Sequence, residues 1–404
     1  MIMNEGRRRN ISGSISNPFW ISVLLLFVII LYFLRLTTSI SEPSFETIIL
    51  LSVGVFTCSI AIFLGGGSNI ISSEYLDGKY SISKSMLYLL WLLYFVSILF
   101  YIFEHVVFYI RFGGVPISLI DFEIKRLVFP ISGYVHLVAM MSYIFLLVII
   151  FERVYFQKRG RLYDCFLFTF FIFSVLLSLL VGNRGVVLSF LFFVSITLSF
   201  KYKFSMVKLF LYALVLSYLL GVAKLFRDYA FYGDSVFESI SRNWSFGDNL
   251  VMAPLYFTYM TFVMNFEMLN KYVDSSFEHT LGYFTLYSPL VSVLPVELVE
   301  LKDFQRSHLD IDFHGTLTAT GYGVPYIDFS GFSVMIIAGW CFILSRVYYL
   351  IMKKGDISFI PLYSYLLFNV MLFVYTYPFN KFYVLLNVLF LYFSVYLFKG
   401  RSTS

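Results

Sequence analysis

Three groups of side chains carry the chemistry of this chain. In Gly182-Asn183-Arg184-Gly185, Arg184 is the only charged residue within 165–200. That run is about twice what one helix needs to cross a bilayer, so it reads as two helices joined by a tight turn. Gly182, Asn183 and Gly185 tolerate the positive φ such a turn needs. An arginine at the bilayer centre would be costly. At the turn it reaches the headgroups or a wet cavity, and a cation held there suits an anionic ligand at the membrane surface. The plain alternative is a topology marker that snorkels to the interface.

The second group is Lys224-Leu225-Phe226-Arg227-Asp228, where a later apolar run ends. On a continuing helix Lys224 and Arg227 share a face; the plain alternative is an interfacial anchor with a local Arg227–Asp228 pair. The third is the loop 305–316, with Arg306, His308, Asp310, Asp312 and His314. His308, Asp310, Asp312 and His314 alternate with apolar residues, so an extended chain points all four to one face. The plain reading is a strand with a wet side. Ligands two apart on a straight strand lie about 7 Å apart, too far for one ion to take all four, so no metal is expected. A general base, His314 or His308, oriented by a carboxylate such as Asp312, suits the pattern better.

These groups must be positioned by a membrane bundle. The chain is 59% hydrophobic, 21% aromatic and 13% charged, which excludes a soluble globular domain. Its net charge of +5 is too small to imply nucleic acid. Apolar runs cover 19–35, 45–64, 86–109, 131–151, 165–182, 186–200, 206–223, 331–350, 358–377 and 382–398, with weaker ones at 250–269 and 281–296. The expected fold is all-α: a polytopic bundle of about 12 spans, or 10 if the two weak runs do not cross, forming one integral membrane domain over 1–404. Arg7 to Arg9, Arg153 to Arg161, Lys201 to Lys208, Lys353-Lys354 and Lys399 to Arg401 all fall on one side if an even number of spans lies between Lys208 and Lys353. The excess of positive residues makes that side cytoplasmic, termini included. The Arg184 turn, the loop 111–130 with its amphipathic, interfacial character, and the loops 224–249 and 300–330 of the late region 224–330 then face outward. Cys58, Cys165 and Cys341 lie in apolar runs, with no disulfide or metal role expected.

Arginine reads phosphate oxygens in a bidentate way and stays charged. Arginines and a histidine at an outer membrane face therefore suit a lipid-linked diphosphate as leaving group, its developing charge held without a metal or other cofactor, while a base deprotonates an acceptor hydroxyl. That is metal-independent glycosyl transfer from a polyprenyl diphosphate sugar. Transport of lipid-linked glycans would call for repeated halves with broken helices, which the sequence lacks; a glycan acyltransferase would need a path for an acyl donor.

In three places the chain resembles the bacterial O-antigen and oligosaccharide repeat-unit polymerases of the Wzy type. Gly182 to Gly185 looks like that family's Gly/Ser-x-Arg-Gly turn. Lys224 to Asp228 looks like the outward arginine after the next helix. Gly315-Thr316 through Tyr326-Ile327-Asp328-Phe329-Ser330-Gly331 looks like the Thr…Tyr-x-Asp-Phe-Gly-x-x-Gly entry to a late helix, with Ser330 where glycine is usual. The resemblance implies a glycosyltransferase of the C superfamily in the bacterial inner membrane. It would move a growing glycan from undecaprenyl diphosphate to a sugar hydroxyl of a new lipid-linked repeat unit, with inversion, alongside a chain-length-regulating membrane partner. Arg184, Arg227, Lys224 and Arg306 would bind diphosphate; His314 or His308 would be the base; Asn183, Tyr326 and Asp328 would line the substrate. An O-antigen ligase, with lipid A core as acceptor, is the related alternative.

Overall fold

The computed structural model describes residues 16–67, 83–114, 133–156, 160–180, 184–202, 232–247, 249, 251–292, 298–309 and 318–399, with parts of 214–230. It is helical throughout, and the only β pairing among the described residues is one bridge between Thr37 and Trp244. The main helices are α1 (Phe19–Phe33), α2 (Phe45–Leu64), α3 (Lys84–Phe112), α4 (Gly133–Met140), α5 (Ser142–Tyr155), α6 (Arg161–Leu180), α7 (Arg184–Ser199), α8 (Ser235–Asn243), α9 (Ala253–Asp274), α10 (Leu301–Leu309), α11 (Gly323–Phe329), α12 (Ser333–Lys354), α13 (Ile360–Met371) and α14 (Phe382–Lys399). Six helical stretches among the described residues are long and apolar enough to cross a bilayer: Phe45–Leu64, Lys84–Phe112, Tyr134–Tyr155, Arg161–Ser178, Gly323–Lys354 and Ile357–Val374. Shorter apolar helices cover Phe19–Phe33, Leu188–Ser199 and Phe382–Tyr396. The chain is a helical protein of membrane character.

The centre of the bundle is the parallel pair α2–α12. Cys58 lies beside Cys341, Ser345 Oγ donates to Ile62 O at 2.6 Å, and Gly66 faces Tyr349. Contacts therefore advance in the same direction on both helices. The backbones approach where α2 ends, because its C-cap is glycine: a Cβ on Gly65 would sit 2.6 Å from Ser345 Cβ, while one on Gly54 would sit 2.6 Å from Tyr322 Oη on the tail before α11. Small residues are how helices without a hydrophobic drive to associate gain dispersion contact in lipid.

The remaining helices alternate around this pair. Tyr94 meets Ser174 and Trp91 meets Tyr163, so α3 and α6 run the same way. Tyr155 Oη donates to Thr197 O at the shared end of α5 and α7. Thr197 bonds Ser364 while Phe193 packs on Phe368, so α13 runs against α7. The basic residues at the ends of α5, α7 and α12 then gather at one end of the bundle. There Arg153 forks onto Asp164 at 2.6 and 2.7 Å across the α5–α6 turn, and Lys201 reaches Val154 O. Lys353 and Lys354 close α12 at the same end. We call this the lower face, and the face bearing the α1–α2 connection the upper face. Because α2 and α12 both start at the upper face, an odd number of crossings lies between the end of α2 and the start of α12, in line with the charge pattern.

Two expectations change. The run 281–296 is not one helix. Leu281 and Gly282 both have positive φ (47° and 97°), Tyr283–Tyr287 is a π turn, and Ser288–Val291 is a single α turn carrying Pro289. Residues 293–297 lie outside the described set. The run 250–269, by contrast, is the 22-residue α9, but it buries Asn265, Glu267 and Asn270. The loop 300–330 is also not wholly external. Its tail enters the bundle, where Tyr322 is fully buried against Gly54 and Cys58, about 15–20 Å along α2 from Ser44 at 1.5 Å per residue. Irregular backbone is tolerated at that depth because protein encloses it. The loop 115–132, the segment 203–213 and the termini 1–15 and 400–404 fall outside the described residues.

The glycine contacts yield a stability test. Gly54→Val forces atoms into the Tyr322 ring and should destabilise the fold by ~1–3 kcal/mol, read as a lower thermal midpoint in detergent. Gly339→Ala on α12, where a Cβ meets nothing within 4 Å, should leave the midpoint unchanged or raised.

Candidate functional site on the upper face

The upper face is organised by α9. On one flank it is stitched to the α1–α2 connection: Tyr259 Oη accepts from Leu36 N (2.9 Å), Glu267 accepts from Ser41 N (3.1 Å) and Ser41 Oγ (2.9 Å), and Asn270 Oδ1 accepts from Ser44 N (2.8 Å). On the other flank Asn265 O accepts from Thr320 N, Asn265 Oδ1 from Thr318 Oγ1, and Tyr272 Oη from Gln305 Nε2 at 2.6 Å. Thus α9 fixes both the re-entrant tail at 318–320 and helix α10.

Residues 275–282 leave α9 and are clamped to α11. Thr280 N donates to Ile327 O and Leu281 N to Asp328 O. The Asp328 carboxylate, fully buried, accepts from Phe284 N (3.1 Å), Thr285 N (2.5 Å) and Thr280 Oγ1. The clamp presents an exposed imidazole, His279. Its Nδ1 lies 3.1 Å from Ile327 O; a carbonyl only accepts, so Nδ1 carries the hydrogen and the neutral ring keeps its lone pair on Nε2. Tyr326 packs edge-on against this ring at 5.9 Å, and Phe277 at 5.4 Å.

His308 is held in the same way. Its Nδ1 is 2.7 Å from Ser307 Oγ and 3.0 Å from Phe304 O, and its ring stacks on Phe304 at 4.3 Å. Phe277 packs on both Phe304 and His308, so the two histidines flank one aromatic wall. In both rings Nδ1 is engaged locally, and Nε2 is the nitrogen that can act as a base.

The predicted residues divide as follows. His308 packs on Phe277 and Phe304, and Tyr326 joins the same wall through His279, while Arg306 is exposed on α10. His308 is not on an extended strand: 301–309 is helix α10, because Phe304 and Gln305 on its buried side pack and bond onto Phe284 and Tyr272. Asp328 has its acceptor sites occupied by the clamp. Lys224 is elsewhere, its Nζ 4.6 Å above the Phe257 ring. Phe257 and Tyr272 are 15 residues apart on α9, about 22 Å of helix, so Lys224 and the histidine wall sit at opposite ends of α9. Arg184 opens α7 directly after the turn. Asn183, Arg227, Asp310, Asp312 and His314 lie outside the described residues.

Sequence reasoning missed His279. The available signal was its place in Phe277-Glu278-His279-Thr280, a polar exit from a weak apolar run. It carries no motif, and its partner Ile327 is 48 residues away. A pocket of about 240 Å³ between α8 and the start of α9 is lined by Phe237, Glu238, Ser241 and Asn249, with no cation. Among the described residues no group of three His, Cys, Asp or Glu side chains is placed to hold a metal ion.

Searches against protein-family models, curated proteins and solved structures return no match to this chain.

The clamp can be tested directly. Asp328→Ala leaves three buried donors without their acceptor and should cost ~2–3 kcal/mol. Hydrogen–deuterium exchange should rise in 279–291 and stay near wild type in α2 and α12. Unchanged protection of 279–291 would show that the carboxylate does not hold the segment.

Proposed function

We propose that this protein is a glycosyltransferase of the bacterial inner membrane that polymerises lipid-linked glycan repeat units on the outward side of the bilayer. The observation that carries the reading is the α6–α7 turn. α6 ends at Leu180 and α7 begins at Arg184, which puts the one charge of 165–200 at the helix start on the face opposite the basic ends. A helix N-terminus adds unpaired N–H donors and a favourable dipole for an anion. With the charge-rich lower face cytoplasmic, this anion-binding turn opens outward, at the depth where the diphosphate of a polyprenyl lipid lies.

In the proposed reaction the acceptor sugar hydroxyl attacks the anomeric carbon from the face opposite the diphosphate. The C–O bond to undecaprenyl diphosphate breaks, and the configuration inverts. Arg184, with Arg227 and Arg306, takes up the charge developing on the departing diphosphate; Lys224, about 22 Å along α9 from the histidine wall, is left out of that set. The hydroxyl proton passes to an imidazole Nε2. The resemblance favours His314 or His308 as that base; the orientation of its ring adds His279. Aromatic rings such as Tyr326 and Phe277 suit the apolar faces of sugars. The chemistry uses no cofactor.

Deletion of the gene decides between this reaction and its neighbours. Cells without the protein should display glycan of a single repeat unit; loss of every repeat would instead indicate a ligase or a flippase. Arg184→Ala should abolish polymer while the protein stays in the membrane at normal level. Among the histidines, His279→Gln and His308→Gln should be assayed separately with purified protein and lipid-linked repeat units. The variant that has lost the base should fall by about 10²–10⁴-fold in turnover, with donor binding retained.

A further inference from the structure

The outward half of the α3–α6 layer contains an ionisable pair that the transfer chemistry does not use. Glu104 on α3 is 1% exposed, and its Oε2 lies 3.3 Å from Nδ1 of His136 on α4, whose side chain is 25% exposed. Its other oxygen, Oε1, is buried and has no hydrogen-bond partner among the described residues. The pair lies within a helix predominantly apolar in sequence, Lys84–Phe112. A lone carboxylate is costly in such surroundings, and an ionisable group within a span is retained for a task.

Its depth is fixed by neighbours. One turn below Glu104, the Tyr101 ring packs edge-on against Tyr143, and the Tyr143 hydroxyl bonds Ser178, two residues before α6 ends. Glu104 therefore sits at the level of the α6–α7 turn, about 12 Å short of the end of α3 at Phe112. Among the described residues, the titratable groups facing it are Tyr101 and His105 on α3, His136 on α4 and Tyr143 on α5. α6 contributes the hydroxyls of Ser174 and Ser178, and its segment 165–180 holds no charged residue. His105 gives its Nδ1 hydrogen to Tyr101 O at 2.8 Å.

We propose that Glu104 and His136 form a proton-binding site inside the membrane-spanning bundle, loaded from the upper face through His136. A hydronium ion at the upper face gives up its proton, the Glu104 carboxylate takes one up across the contact with His136 Nδ1, and water is released. The carboxyl ends neutral, and His136 ends with the charge it began with. One proton enters, and the buried negative charge is removed. A second proton would leave an uncompensated imidazolium beside a neutral acid, so the site takes one.

The test is infrared difference spectroscopy on the purified protein in lipid nanodiscs, stepped between about pH 9 and about pH 5. The wild type should show the C=O stretch of a buried carboxylic acid that is absent in Glu104→Gln. In His136→Gln that band should remain, but its midpoint should move by about one pH unit or more. Glu152→Gln, which alters a second buried glutamate on α5, should keep the Glu104 band and its midpoint. A Glu104 carboxylate that stays ionised across the range overturns the proposal. So does a carboxyl band that responds to sodium or potassium at fixed pH, which would make a metal cation the ligand. Equal thermal midpoints for wild type and Glu104→Gln confirm that the loss of the band is not a loss of the fold.

Discussion

Lipid offers no hydrogen bonds, and every polar group of this chain that enters the bundle must be answered from within it. α9 is where that demand is heaviest. Asn265, Glu267 and Asn270 are all nearly inaccessible, and each is satisfied by backbone or hydroxyl groups of segments that have no regular structure of their own. The exchange is mutual: Ser41 and Ser44 would otherwise bury bare N–H groups at the start of α2, and Thr320 would do the same at the mouth of the re-entrant tail. The upper face is thus built by pairing two defects, a polar helix and two irregular segments, so that neither is left unsatisfied.

The same logic explains the run from Tyr326 to Phe329 without any direct appeal to substrate. Ile327 supplies a carbonyl, Asp328 a carboxylate and Tyr326 a ring edge, and all three converge on 279–285. A short α-helix that spends its polar atoms in this way makes the neighbouring imidazole rigid. The orientation of that ring is set by a main-chain oxygen.

Much of the bundle was legible from hydropathy alone. The runs at 45–64, 186–200 and 382–398 lie within a few residues of α2, α7 and α14, because the solvent imposes both length and composition on a span. The run at 131–151 already divides at Met141, and 281–296 fails as a helix where Leu281 and Gly282 turn the chain. What the sequence could not disclose is the company of its polar residues. Glu267 looked like an argument against membrane burial, yet its partner Ser41 lies 226 residues earlier. Glu104 was hidden inside a long apolar run, and only the fold brings His136 to it. The Arg184 turn was readable since a single charge among 36 residues of 165–200 leaves few ways to place it.

The parallel pairing of α2 with α12 has a consequence in time. A chain made from its N-terminus presents α2 early and α12 nearly last, with six or more apolar segments between them. Until α12 is inserted, the glycine-lined strip of α2 at Gly54 and Gly65 faces lipid, or whatever transient neighbour occupies it. The re-entrant tail ending at Tyr322 cannot be enclosed either, since α2 and α13 both wall it. The upper face therefore comes into being in the final step of synthesis, after nearly all the membrane segments are in place. A bundle of this kind matures all at once, from its last third, and an unfinished chain has helices but no upper face.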